Sequence, residues 1–182
     1  MHTKNRYALP YKKGVQVRVV SDPRAHFAHF QHAIDFILPE GTEILAVEAG
    51  IVVKVRVNSN EGGPDPKYNN DKYLNYVIVK HTNGEYSYYA HLKHEGALVR
   101  IGDKVEKGQP IALSGNTGFS TAPHLHFCIF ILTPNIGAGW ETLEIVFEEK
   151  IFVDREARPV SESLQKTMEE LERVKAHLQN PS

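Results

Sequence analysis

Between Ile34 and Phe130 the apolar residues fall in short β-branched and aromatic runs broken by Gly, Pro, Asn and Asp, a strand-and-turn rhythm rather than a helical one. The runs HAIDFIL, EILAVEA, GIVVKVRV, YVIVKH, EYSYYAHL, ALVRI, PIALSG and HLHFCIFIL predict strands, and Thr82-Asn83-Gly84 predicts a tight turn between two antiparallel neighbours. The segment GAGWETLEIVFEEKIFV continues the β pattern. The stretch NSNEGGPDPKYNND, residues 58 to 71, reads as a long loop inside the domain, because strands of the same kind resume after it. The fold class is therefore all-β: an antiparallel β-sandwich or barrel-like domain over 8–155. From Ser161 to Gln179 the period changes, with Leu164, Met168, Leu171, Val174 and Leu178 at helical spacing among charged residues. That predicts an amphipathic helix in a C-terminal extension, 156–182, which packs on its own domain or self-associates.

Composition narrows the chemistry. A length of 182 residues and a net charge of −1 give one core-forming domain without the basic excess that phosphate neutralisation asks of a nucleic-acid binder. With Cys128 the one cysteine, an internal disulfide is excluded, and any metal must rely on histidine and carboxylate ligands, for which ten histidines are available. No apolar run is long enough to span a membrane, and the first residues, MHTKNRYALPYKKG, show no signal-peptide core.

Among the histidines, PHLHF places His124 and His126 two apart on a strand, so both side chains point to one face and can converge on one ion or substrate. Ser114-Gly115-Asn116-Thr117-Gly118 precedes them as a small-residue loop suited to close approach. His91 ends the aromatic strand EYSYYAHL. Asp35, set between Ile34 and Phe36, is a carboxylate in apolar company that needs a counter-charge, a metal or several donors. Cys128 reads as core, and Tyr88 and Tyr89 read as packing residues first and as lining of a groove second.

The succession AIDFILPEGTEILAVEAGIVVKV, NYVIVKHTNGEYSYYAHL and VRIGDKVEKGQPIALSGNTGFSTAPHLHF resembles the lysostaphin-like (LytM-type) zinc metallopeptidases, over about residues 34 to 131. The resemblance implies one Zn²⁺ and hydrolysis of peptide bonds in peptidoglycan, with Asp35 and His126 as zinc ligands. It implies that His124 takes a proton from the attacking water while a protonated His91 stabilises the developing oxyanion. It also implies work in the cell envelope or outside the cell. The family's first motif is H-x-x-x-D, yet Gln31 stands four residues before Asp35. His26, His29 and His32 are nearby. Strand alternation would put His29 on the side of Asp35, so His29 is the expected third ligand, with His32 next should a bulge reverse the parity.

Three other readings compete. A metal-free domain of this type could bind and activate a separate wall hydrolase, but retention of Asp35, His91, His124 and His126 together speaks against it. A lipoyl- or biotin-carrier-like barrel lacks a lysine at a tight turn. A β-sandwich that binds wall material without cutting it is separated from the enzyme by metal content.

Overall fold

The computed structural model describes residues 1–21, 26, 30–133 and 139–155. The strands in chain order are β1 (His2–Tyr7), β2 (Arg18–Val20), β3 (Ile34–Ile37), β4 (Glu43–Leu45), β5 (Gly50–Arg56), β6 (Gly62–Gly63), β7 (Tyr76–Lys80), β8 (Tyr86–Ala90), β9 (Leu92–Ala97), β10 (Lys104–Val105), β11 (Pro110–Ser114), β12 (Gly118–Phe119), β13 (Leu125–Leu132) and β14 (Trp140–Phe147). Short 3-10 turns at Pro66–Tyr68 and Asp71–Tyr73 lie in the long loop. The all-β expectation holds for these residues, and none of their helices is long and apolar enough to cross a membrane. The amphipathic helix expected at 161–179 falls outside the described residues.

The main sheet runs β1-β14-β13-β8-β7-β5-β10, with β3 pairing β13 and β2 pairing β3. A three-stranded sheet, β4-β11-β9, packs beside it, and the parallel pair β6–β12 ties the long loop to the segment after Ser114. Alternation along β13 explains the layering. Leu125, Phe127 and Ile129 enter the main core with Phe36, Tyr89, Leu92 and Ile111. On the opposite face Cys128 and Phe130 form a second cluster with Ala33, against which Phe30, Tyr86, Tyr88 and Trp140 pack. Full burial of each large core side chain contributes about 1.5–3 kcal/mol, so β13, covered on both faces, is anchored by packing on either side.

Three differences from the sequence expectations have physical causes. ALVRI is not a strand beyond Ala97: Arg100 N donates to the Asp103 carboxylate and Gly102 takes φ +93°, which turns the chain and leaves Leu98 and Ile101 exposed. The strand is instead β9, on the polar run that follows His91. Residues 2–7, ahead of the domain boundary expected at 8, form β1, which pairs in parallel with β14.

β1 is fastened by a buried carboxylate. Glu85, fully buried, accepts from Tyr7 Oη at 2.6 Å, Lys4 N at 2.7 Å and Asn83 Nδ2 at 2.6 Å. Burial, then the bond to Glu85, pushes the Tyr7 hydroxyl far above its usual range, so it stays a donor.

Candidate metal and catalytic site

Antiparallel pairing of β3 with β13 sets Asp35 opposite His126, and pairing of β13 with β8 sets His126 opposite Ala90, the residue before His91. His126 Nδ1 lies 3.0 Å from Asp35 Oδ1, and His26 Nε2 lies 3.2 Å from the same oxygen. The ligand atoms of His26, Asp35 and His126 all fall within 4.8 Å of one another. Tetrahedral zinc at 2.0–2.1 Å from N and O ligands sets neighbouring ligand atoms about 3.3 Å apart, so the donor set and spacing fit that ion. Burial alone would raise the Asp35 carboxyl, but the contacts with His126 and His26 outweigh it and hold it well below the usual carboxylate range. Burial is the leading cause that lowers His126, favouring the neutral ring that a ligand must be.

His26 is 4 % exposed, and its Nδ1 has no partner among the described residues, which leaves Nε2 as the nitrogen committed to the cluster. His29 lies outside the described residues. The parity that selected it does not operate here. β3 begins only at Ile34, and the residues just before it form a tight turn closed by Ala33 N donating to Phe30 O at 2.8 Å. The fallback, His32, points elsewhere. Its backbone N donates to Thr142 Oγ1, its charged neighbours are the N-terminus, Glu144, Arg155 and His2, and burial is the main cause of its lowered pKa.

His91 and His124 stand side by side next to the cluster, ring centroids 4.4 Å apart, with His124 Nε2 3.8 Å from Asp35 Oδ1. Each ring meets a backbone carbonyl through Nδ1: His91 donates to Thr117 O at 2.6 Å, and His124 to Ala122 O at 2.8 Å, with Ser120 Oγ at 3.2 Å. A carbonyl only accepts, so each neutral ring carries its proton on Nδ1 and keeps a lone pair on Nε2. Burial, reinforced by His124 and His126, holds His91 well below the ordinary histidine range. The expectation of a protonated His91 thus meets a site that favours the neutral ring. The backbone of His91 is at φ +59°, a left-handed conformation that costs a residue other than glycine about 1–2 kcal/mol.

The small-residue loop is small by necessity. A Cβ on Gly115 would meet Lys93 N at 2.5 Å, and one on Gly62 would meet Asn116 O at 2.0 Å. Phe30 and Tyr88 wall the metal side, their ring centroids 5.2 and 6.3 Å from His126. Tyr89 points the other way, into the core, and its hydroxyl accepts from Val47 N. His81 is also structural: Nδ1 contacts Ala49 O, Nε2 contacts Ser87 Oγ, and burial lowers its pKa. Sequence reasoning missed Asn75, Ser120 and the role of Thr117, whose contacts are long-range or belong to the loop.

The profile of peptidase family M23 matches residues 29–136, more than half of the chain. The peptidoglycan DD-endopeptidase ShyA of Vibrio cholerae serotype O1 is 38% identical over 97 residues, 53% of this chain and 19% of ShyA. Lysostaphin of Staphylococcus simulans is 34% identical over 97 residues, 53% of this chain and 17% of lysostaphin. The chain thus spans about a fifth of the length of these curated relatives. A crystal structure of a zinc-containing peptidase from Vibrio cholerae superposes with TM-score 0.50 at 27% identity, covering 69% of this chain and 36% of that one.

Proposed function

The chain belongs to peptidase family M23, and on that premise we propose that it is a zinc metalloendopeptidase that hydrolyses peptide bonds of bacterial peptidoglycan. The observation that carries this reading is the convergence of His26 Nε2 and His126 Nδ1 on Asp35 Oδ1, with the rings of His91 and His124 beside them and each bound through Nδ1 to a backbone carbonyl. His26, Asp35 and His126 would hold the ion, with His26 in the position that the spacing argument gave to His29. Bound zinc supplies Lewis acidity toward the scissile carbonyl and the attacking water.

The protein groups then divide the proton work. His124 Nε2 accepts a proton from the attacking water, its ring held by Ala122 O and Ser120 Oγ. His91 offers a second acceptor that orients the water while neutral. The proton held by His124 is then handed to the leaving amine, while His91 stays neutral beside it. The proton lost by water ends on the new amino terminus, so neither histidine is consumed. The names of ShyA and lysostaphin support a peptidoglycan substrate, and with it a place of action in the envelope or outside the cell.

The test is release of new amino termini from purified peptidoglycan by the wild-type chain, with His124→Ala beside it. Release by wild type, and near-complete loss in a His124→Ala variant that keeps its zinc, is the expected result. Release undiminished in His124→Ala removes the base assignment, and no release by a zinc-loaded wild type removes the enzyme reading.

A further inference from the structure

His91 is held in its unusual backbone conformation by a buried clasp drawn from three other parts of the chain. Asn75, fully buried at the end of the long loop, donates through Nδ2 to Ser59 O at 2.7 Å and to Leu92 O at 3.2 Å, and its Oδ1 accepts from Ser59 N at 3.0 Å. Its carbonyl accepts from Leu92 N at 3.2 Å, so both backbone groups of the residue after His91 are committed to this clasp. Thr117, 6 % exposed, completes it. Its hydroxyl donates to Leu92 O at 2.8 Å and accepts from Asn75 N at 3.2 Å, while its carbonyl takes the His91 Nδ1 proton at 2.6 Å. One residue therefore grips both the backbone beyond His91 and the ring of His91 itself.

We propose that Asn75 and Thr117 are positioning residues that keep His91 in its left-handed turn and its proton on Nδ1, so that Nε2 faces the reacting water as an acceptor. The proposal rests on the role given to His91 above. Left-handed φ is a minority state for a histidine, and hydrogen bonds that fix the following residue on both sides are what sustain it. Thr117 follows the tight glycine at 115, and Asn75 joins it to the loop at Ser59, so the clasp also links that loop to the ring of His91.

The test is Thr117→Val in the full chain, which keeps the side chain's shape but removes its hydroxyl. Thr117→Ala serves should the valine variant fail to fold, and Thr117→Ser is the rescue. Three quantities are read: zinc content, kcat and KM on soluble peptidoglycan fragments, and the nitrogen NMR shifts of the His91 ring. The expected result is unchanged zinc and KM, a fall in kcat on the order of a hundredfold, as sub-ångström to ångström misplacement of a catalytic group produces, a His91 ring that no longer reports a single Nδ1–H tautomer, and recovery of both in Thr117→Ser. A folded variant with unchanged kcat and an unchanged ring spectrum overturns the proposal. If the wild type cleaves nothing, the enzyme reading falls, and the ring spectra still decide whether the clasp fixes His91.

Discussion

Asp35 Oδ1 and His126 Nδ1 lie 3.0 Å apart at facing positions of the antiparallel strands β3 and β13. The contact is thus set by strand register rather than by side-chain reach. A rigid pair of this kind is prepared for an ion before the ion arrives. Asp35→Asn keeps the shape while removing the charge, and it should weaken zinc binding by more than about a hundredfold, beyond the 10–100-fold typical of losing an outer partner. Competition titration against a chromogenic chelator reads this, and affinity within tenfold of wild type would remove Asp35 from the ligand set.

The buried carboxylate of Glu85 should matter for stability and not for metal. Glu85→Ala leaves the donors of Tyr7, Lys4 and Asn83 without their acceptor, at a cost of about 3 kcal/mol or more, while Tyr7→Phe removes one bond to a charged group and should cost about 1.5–3 kcal/mol. Urea unfolding monitored by fluorescence of Trp140 measures both; equal stability of Glu85→Ala and wild type would mean that the network does not hold β1.

Stability should fall on acidification in a direction fixed by His81. Burial lowers its pKa, so the folded ring is neutral and the unfolded chain takes up a proton that the fold excludes. The stabilisation is complete above the ordinary value of about 6.5 and is lost as pH falls below it toward the folded value, at no more than about 1.4 kcal/mol per pH unit for one group. In chelator, the stability difference between wild type and His81→Gln should shrink from pH 7.5 to pH 5.5. A difference that grows or holds steady would contradict the assignment.

Gly62 tests the coupling of the long loop to the catalytic ring. Its added Cβ would strike Asn116 O at 2.0 Å and Thr117 Cα at 2.8 Å, both backbone atoms that cannot step aside cheaply. Gly62→Ala should therefore displace the turn under His91 and lower kcat at least as far as Thr117→Val does, with zinc still bound; wild-type turnover would show that the β6–β12 contact is not transmitted.

Those parts of the site that lie on regular strands were legible in the sequence. His126 and Asp35 lie within β13 and β3, so their direction followed from strand periodicity, whereas for His124, at a bridge just before β13, and His91, at positive φ between β8 and β9, the pattern marked only the neighbourhood. The position of His26 was not legible, because the turn at Phe30–Ala33 breaks the periodicity just where it was needed. β1 gave no signal because only Thr3 and Tyr7 of its residues are buried, and its partner, β14, is distant in the sequence. The clasp of Asn75 on Thr117 joins residues 42 positions apart, a contact that leaves no local pattern.

The most direct measurement of the central claim is zinc per chain, by elemental analysis, in wild type and in separate His26→Ala, His29→Ala, His32→Ala and His126→Ala variants purified without chelator. The expected result is about one zinc in wild type, His29→Ala and His32→Ala, as a single three-ligand site requires, and loss of zinc in His26→Ala and His126→Ala. Zinc retained by His26→Ala but lost from His29→Ala would move the third ligand. A folded wild type that neither carries nor takes up zinc would contradict the metallopeptidase reading itself.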